Sequence, residues 1–253
     1  MPTRLLRLLD GASLEYLVTG SHSPVTLFVP GLGGGIPDTR PLGSGVPGKK
    51  VFVQLPARGR YPDLAADVAA VADETSATQA LGVSLGAGAL CRLLVDAPDR
   101  FDKLVFFLPA VLDVPRAEPA RARTLALSEA IASGPREAVG ELMAAEVPAE
   151  LRDTAAARAY VAQRTAVLLT GGWAKPVADL ADQVAVDDAA ALRRVTAPVL
   201  VLGCRGDDLH SAEVATRLAA AFPSSTLHVY DEPGVLWYHR DDLRRRISSF
   251  LGG

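Results

Sequence analysis

Cysteine is nearly absent from the 253-residue chain, with Cys91 and Cys204 the only two. Each sits in or beside an apolar segment, with no neighbour at metal-ligand spacing, and reads as a small buried hydrophobe. This excludes a disulfide-stapled secreted scaffold and suits a reducing cytoplasm. No metal constellation is present, and nothing calls for an organic cofactor. Charge of one sign is not in excess either: 26 basic and 29 acidic residues give a net charge of −3. Such a balance leaves no global field to collect nucleic acid or an anionic membrane. The single basic run, Arg244-Arg245-Arg246, follows Asp241 and Asp242 in an expected C-terminal helix and reads as cations on a solvated face. Long apolar runs are lacking as well. No stretch approaches the roughly 18 residues of a transmembrane helix, and Arg4 and Arg7 break the N-terminal segment before it could act as a signal sequence. With 49% hydrophobic and 22% charged residues, the composition is that of a globular protein, expected in the cytoplasm with a small molecule as its partner.

What is present is alternation. Segments 4–9 and 13–18 flank Asp10-Gly11, a hairpin-type dipeptide. Segments 25–29 and 51–54 are short β-branched runs suited to strands covered on both faces. The glycine- and proline-rich stretch 31–50 between them reads as a long loop. Then come a helix (62–74, with Leu64, Val68 and Val71 on one face), a strand (77–83), a helix (85–95) and a strand (103–108). Connections this short imply right-handed crossovers and a mostly parallel sheet. From 114 to 194 alanine, arginine, glutamate and leucine dominate, predicting three to five helices and no strand. Alternation resumes with a strand (198–203), a helix (211–221), a strand (226–230) and a helix (241–251). The expected fold is therefore α/β. A sheet core from 1–113 and 195–253 carries an all-helical cap, 114–194, over its carboxyl edge.

Gly82-Val83-Ser84-Leu85-Gly86 fits the pattern G-x-S-x-G between an expected strand and an expected helix. Small residues two before and two after the serine let strand and helix approach, and the serine projects at the sheet's carboxyl edge on strained backbone. The plainer alternative is that Ser84 merely caps the helix. Directly after the 25–29 strand stands Pro30-Gly31-Leu32-Gly33-Gly34-Gly35. In a hydrolase this loop supplies one backbone N–H to an oxyanion, here that of Leu32, with the N–H of Leu85 as the other. A dinucleotide fingerprint fails at the third glycine, where Ile36 and Pro37 stand. The G-x-x-x-x-G-K match at 43–49 is accidental, because Lys50 replaces Ser/Thr and a strand follows.

Together, the strand order, glycine loop, elbow, helical insertion and aspartate-bearing turn resemble the α/β-hydrolase superfamily over nearly the whole chain. The likeness is greatest to small bacterial members with a helical cap, a group with esterase, lactonase and thioesterase activities. The resemblance implies that the acid follows the strand after the cap, which places Asp207 in register, with Asp208 as a nearby competitor. The alternative is that one of these aspartates caps the helix near Ser211. The family's base normally follows a glycine shortly after the last strand, a register that lands on Val235, and a hydrocarbon accepts no proton. His239, four residues on, keeps the Ser…Asp…His order and is the expected base. His210 is a minor local alternative, while His22 and His228 lie in a turn and a strand. Pro30 also departs from the family, in which histidine commonly precedes the loop glycine.

A serine hydrolase of an ester, thioester or lactone bond in a small apolar substrate is thus the leading expectation, with Ser84, Asp207 and His239 as its catalytic residues. A non-hydrolytic enzyme on the same fold (cyclase, lyase or C–C bond cleavage) and a binding protein with an incomplete triad are the alternatives that Val235 motivates. The cap is expected to line an apolar pocket, with Trp173, Trp237 and Tyr238 as candidate walls.

Overall fold

The computed structural model describes residues 2–253. In chain order the elements are β1 (Arg4–Arg7), β2 (Ser13–Thr19), β3 (Val25–Val29), α1 (Ile36–Thr39), β4 (Lys49–Gln54), α2 (Tyr61–Thr75), β5 (Gln79–Val83), α3 (Leu85–Asp96) and β6 (Lys103–Phe107). A helical insertion follows: α4 (Glu118–Ser133), α5 (Arg136–Ala144), α6 (Ala155–Thr170) and α7 (Ala174–Ala181). The chain then completes β7 (Val199–Cys204), α8 (Ala212–Ala221), β8 (Ser225–Tyr230), α9 (Val235–Tyr238) and α10 (Arg240–Gly252). Every strand expected from the apolar runs is present. The 31–50 stretch departs from a plain loop, because α1 and a short 3-10 turn, Arg40–Gly43, form within it. Pro37 and Pro41 stand in the first turn of each, where no amide donor is needed.

One eight-stranded sheet runs in the order β1-β2-β4-β3-β5-β6-β7-β8. The β1–β2 and β2–β4 pairs are antiparallel, and all later pairs are parallel. Strand residues alternate between two apolar layers. Leu27, Val29, Leu104, Phe106 and Val201 pack with Leu64, Val68, Leu90 and Leu218 of α2, α3 and α8. Phe28, Leu81, Val105, Phe107 and Leu202 pack on the other face with Leu243, Ile247 and Leu251 of α10. Those three lie four residues apart on one helical stripe, and burying each fully stabilises the fold by about 1.5–3 kcal/mol. Both faces are covered, which is why the central strands read as unbroken hydrophobic runs.

The crossing of α3 behind β5 and β3 is set by glycines. A Cβ on Gly86 would stand 2.6 Å from the carbonyl oxygens of both Val29 and Pro30. One on Gly82 would stand 2.7 Å from the carbonyl oxygen of Gly86. Those obstacles are backbone and cannot swing aside. Gly86→Ala is expected to destabilise the fold by about 1–3 kcal/mol through forced overpacking. Gly140→Ala, whose Cβ meets only the Thr165 hydroxyl at 3.9 Å, should gain about 0.5–1 kcal/mol from helix propensity. Urea denaturation of the two variants checks both signs.

Candidate active site

The turn from β5 into α3 puts Ser84 at φ 50° and ψ −107°, outside the regions an L-residue favours. The surrounding structure holds it there: its N–H donates to the Phe107 carbonyl at 3.0 Å, and its carbonyl accepts from Ala87 at 3.1 Å. Backbone strain of this kind costs on the order of 1–3 kcal/mol and is sustained where neighbours over-determine it. Although Ser84 occupies the cap position of α3, its side chain makes no capping hydrogen bond. The hydroxyl points instead to His210, with Oγ 2.9 Å from Nε2.

His210 is held from its other side by Asp207. Nδ1 lies 2.9 Å from Asp207 Oδ2, and Asp207 Oδ1 accepts the backbone N–H groups of Leu209 and His210, each at 3.0 Å. The carboxylate therefore ties its own turn together and aims the ring that closes the turn. With the Nδ1 proton donated to Asp207, Nε2 is left as acceptor for the Ser84 hydroxyl. Burial alone would push the Asp207 carboxyl up, but the hydrogen bonds and charge interaction from His210 outweigh it and hold the group below its ordinary value. The helix that follows takes its cap from Ser211, which accepts the Glu213 N–H at 3.1 Å, so neither aspartate serves as that cap. Asp208 is exposed on the cavity rim.

His239, expected as the base, is directed elsewhere. Its ring stacks on Tyr230 with centroids 5.1 Å apart, and its Nε2 is 3.8 Å from Glu232. It heads α10 and takes no part in lining the cavity that holds Ser84. The α9 turn holds it through its backbone N–H, which donates to the Val235 carbonyl at 3.0 Å. Val235 itself is buried and does line the cavity. Thus the imidazole next to Ser84 arrives from the turn after β7 rather than from the loop after β8. The signal for it was an Asp-x-x-His run directly after a strand, in which an aspartate bonding the N–H groups two and three residues on brings the later side chain back alongside itself.

Ser84 opens onto a cavity of about 700 Å³, of the size that small-molecule sites occupy. Leu32 and Leu85 both line it. Leu85 is the first residue of α3, so its N–H has no acceptor within the helix. Gly31 lies against the serine, its Cβ position 3.4 Å from Ser84 Cβ. The segment between β6 and β7 contributes Leu127, Met143, Val177 and Leu180, but also Arg164 and, from the turn after α5, Glu146, so the expected apolar lining is incomplete. Trp237 is on the wall, with Tyr160 edge-on to it at 5.8 Å. Trp173 and Tyr238 are not. Trp173 is buried in the core at the head of α7, and Tyr238 is largely solvent-facing with its hydroxyl on Glu150. Neither thiol lines the cavity, and burial pushes Cys91 far up and Cys204 up to about 11. Among the described residues, no group of three metal-ligating side chains converges, and no helix is long and apolar enough to cross a membrane.

These features coincide with a family match. The model for the Alpha/beta hydrolase family matches residues 16–246, and the chain belongs to that family. Similar solved structures include a hydrolase from Pseudomonas aeruginosa PA01, with TM-score 0.81 and 19% identity over 99% of this chain and 98% of that one. An enol-lactonase from Burkholderia xenovorans LB400 has TM-score 0.81 and 16% identity over 99% of this chain and 100% of its own. An esterase from Exiguobacterium antarcticum has TM-score 0.78 and 16% identity over 98% and 99% of the two chains. No curated protein sequence matches.

The depressed Asp207 carboxyl makes a signed prediction. A carboxyl lowered in the folded state stabilises it above the unfolded value of about 4 and loses that contribution as pH falls through the folded value. Asp207→Asn should therefore be less stable than wild type in urea at neutral pH. The gap should narrow steadily as pH drops below about 4, and a gap of constant size would refute the assignment.

Proposed function

We propose that this chain is a serine hydrolase that cleaves an ester, thioester or lactone bond in a small substrate through an acyl-enzyme on Ser84. The observation that carries this is the bridging imidazole, 2.9 Å from Ser84 Oγ on one side and 2.9 Å from Asp207 on the other. As Oγ attacks the carbonyl carbon, Nε2 of His210 takes the hydroxyl proton and Asp207 stabilises the imidazolium. The oxyanion that forms is met by the N–H groups of Leu32 and Leu85, fixed donors that need no reorganisation. Collapse expels the alcohol or thiol with the proton from His210. Water, deprotonated by the same ring, then attacks the acyl carbon and releases the acid and free Ser84.

The contact of His210 with Ser84 supports the hydrolase reading over the non-hydrolytic and binding-only alternatives, which rested on a missing base. The similar folds include an esterase and an enol-lactonase, which accord with the proposal, and also a meta-cleavage product hydrolase, so they support a hydrolase more than any one substrate. Two free, buried thiols fit the reducing cytosol expected from composition.

Labelling by a fluorophosphonate probe tests the assignment of roles. Ser84→Ala is expected to abolish labelling. His210→Ala should slow it on the order of 10⁴-fold or more, as removal of a triad base does. His239→Ala should stay within about threefold of wild type, because that ring touches no reacting atom. Fast labelling that survives in His210→Ala but disappears in His239→Ala would reverse the two histidines.

A further inference from the structure

The cavity holds a cation that the reaction at Ser84 leaves unused. Arg164, on α6, lines the same space as Ser84, and its side chain is only 11% exposed. Its guanidinium carries five N–H donors. Yet Nε is buried with no partner, and the nearest carboxylate oxygen, that of Glu146, is 3.9 Å from Nη2, beyond hydrogen-bonding range. Glu146 is engaged instead by the Tyr160 hydroxyl at 2.7 Å. The contrast with Arg116, also on the cavity wall, is informative. Arg116 Nη1 donates to the Leu180 carbonyl at 2.6 Å, and its Nη2 is 3.3 Å from the Tyr61 hydroxyl. Arg116 is a strut between insertion and core; Arg164 is a largely buried charge with Nε unpartnered, a long ion pair to Glu146 and the ring of Tyr160 beside it, an arrangement that leaves donors for a further acceptor.

Its position relative to the nucleophile follows from the glycine loop. The Gly34 N–H donates to the Gly31 carbonyl at 3.0 Å, closing a tight turn whose ends lie within about 7 Å of each other. Gly31 packs against Ser84 at one end, and at the other the Cβ position of Gly34 is 3.0 Å from Arg164 Nη1. Serine and guanidinium thus flank a single turn. Around Arg164 stand Glu146 and Asp38, and Asp38 is already accepting the Gly35 N–H at 2.7 Å. Burial opposes the charge of Arg164, while Tyr160, Glu146 and Asp38 together favour it and keep the group protonated.

Resting on the hydrolase proposal, we infer that Arg164 is the specificity residue of this site and accepts a carboxylate on the substrate, so that the substrate class is a short ester, thioester or lactone bearing a free carboxylate. The planar donor fork matches a carboxylate's two oxygens. Glu146 and Asp38 outnumber the one cation, so the donor fork rather than net charge carries the recognition, and this favours a monoanion over a doubly charged phosphate.

The test compares the p-nitrophenyl monoesters of glutarate and adipate with neutral p-nitrophenyl esters of equal chain length. Wild type is expected to favour at least one acidic ester by tenfold or more in kcat/KM. Arg164→Met should lower that acid-to-neutral ratio by tenfold or more, and Arg164→Lys should retain part of it. A wild-type ratio near or below one for both acids, or a ratio unchanged in Arg164→Met, overturns the inference even if esters are hydrolysed. A second arm needs no turnover. Calorimetry on Ser84→Ala should show monomethyl glutarate binding at least tenfold tighter than dimethyl glutarate, with the difference lost in Ser84→Ala/Arg164→Met. Equal affinity for the two ligands overturns the carboxylate site, whereas absence of turnover with that binding difference intact overturns hydrolysis alone.

Discussion

An imidazole bonded at both nitrogens is the constraint on which the rest of this site depends. Asp207 fixes the proton of His210 on Nδ1 and so leaves Nε2 free to face the serine hydroxyl. The same carboxylate collects two backbone N–H groups of its own turn, so carboxylate and imidazole are a single folded unit after β7. The loop after β8 brings no imidazole to Ser84. Val235 and Trp237 occupy that loop as cavity wall, and His239 stacks on Tyr230 at the head of α10.

The glycine loop after β3 serves two neighbours at once. On one side, Gly31 allows the backbone to reach Ser84. On the other, residues one helical turn apart on α6 settle onto it: a Cβ on Gly33 would stand 2.5 Å from Leu168 Cδ2, and one on Gly34 would stand 3.0 Å from Arg164 Nη1. Gly33 also has φ +59°, a conformation that L side chains rarely adopt. The segment beside Ser84 is therefore also the seat of α6. This couples the position of the α6 side chains to the geometry at Ser84.

The architecture was legible because it is written in periodicity. Five consecutive buried residues in β3 and the stripe Leu64, Val68 and Val71 on α2 announce a doubly covered sheet and its helices. The elbow was legible because its glycines answer a steric demand that only close backbone contact creates. The imidazole at Ser84 was not, because no periodicity encodes it. His210 meets Asp207 three residues away through the shape of one short turn, begun at Gly206 with φ +69°, and meets Ser84 across 126 residues of sequence. Register by likeness pointed past it to the loop after β8, where His239 was the imidazole nearest in sequence. Trp173 and Tyr238 show the same limit: an aromatic ring in the right segment packs into the core or faces solvent according to a helix rotation that composition does not reveal.

The central claim is that Asp207 and His210 act on Ser84 as one device, and a double-mutant cycle measures this directly. Phosphonylation rates of Ser84 would be compared in wild type, Asp207→Asn, His210→Ala and the double variant. Groups acting as a unit are strongly non-additive, so the double variant should be hardly slower than His210→Ala alone. Costs that simply multiply would show two independent residues and contradict the account.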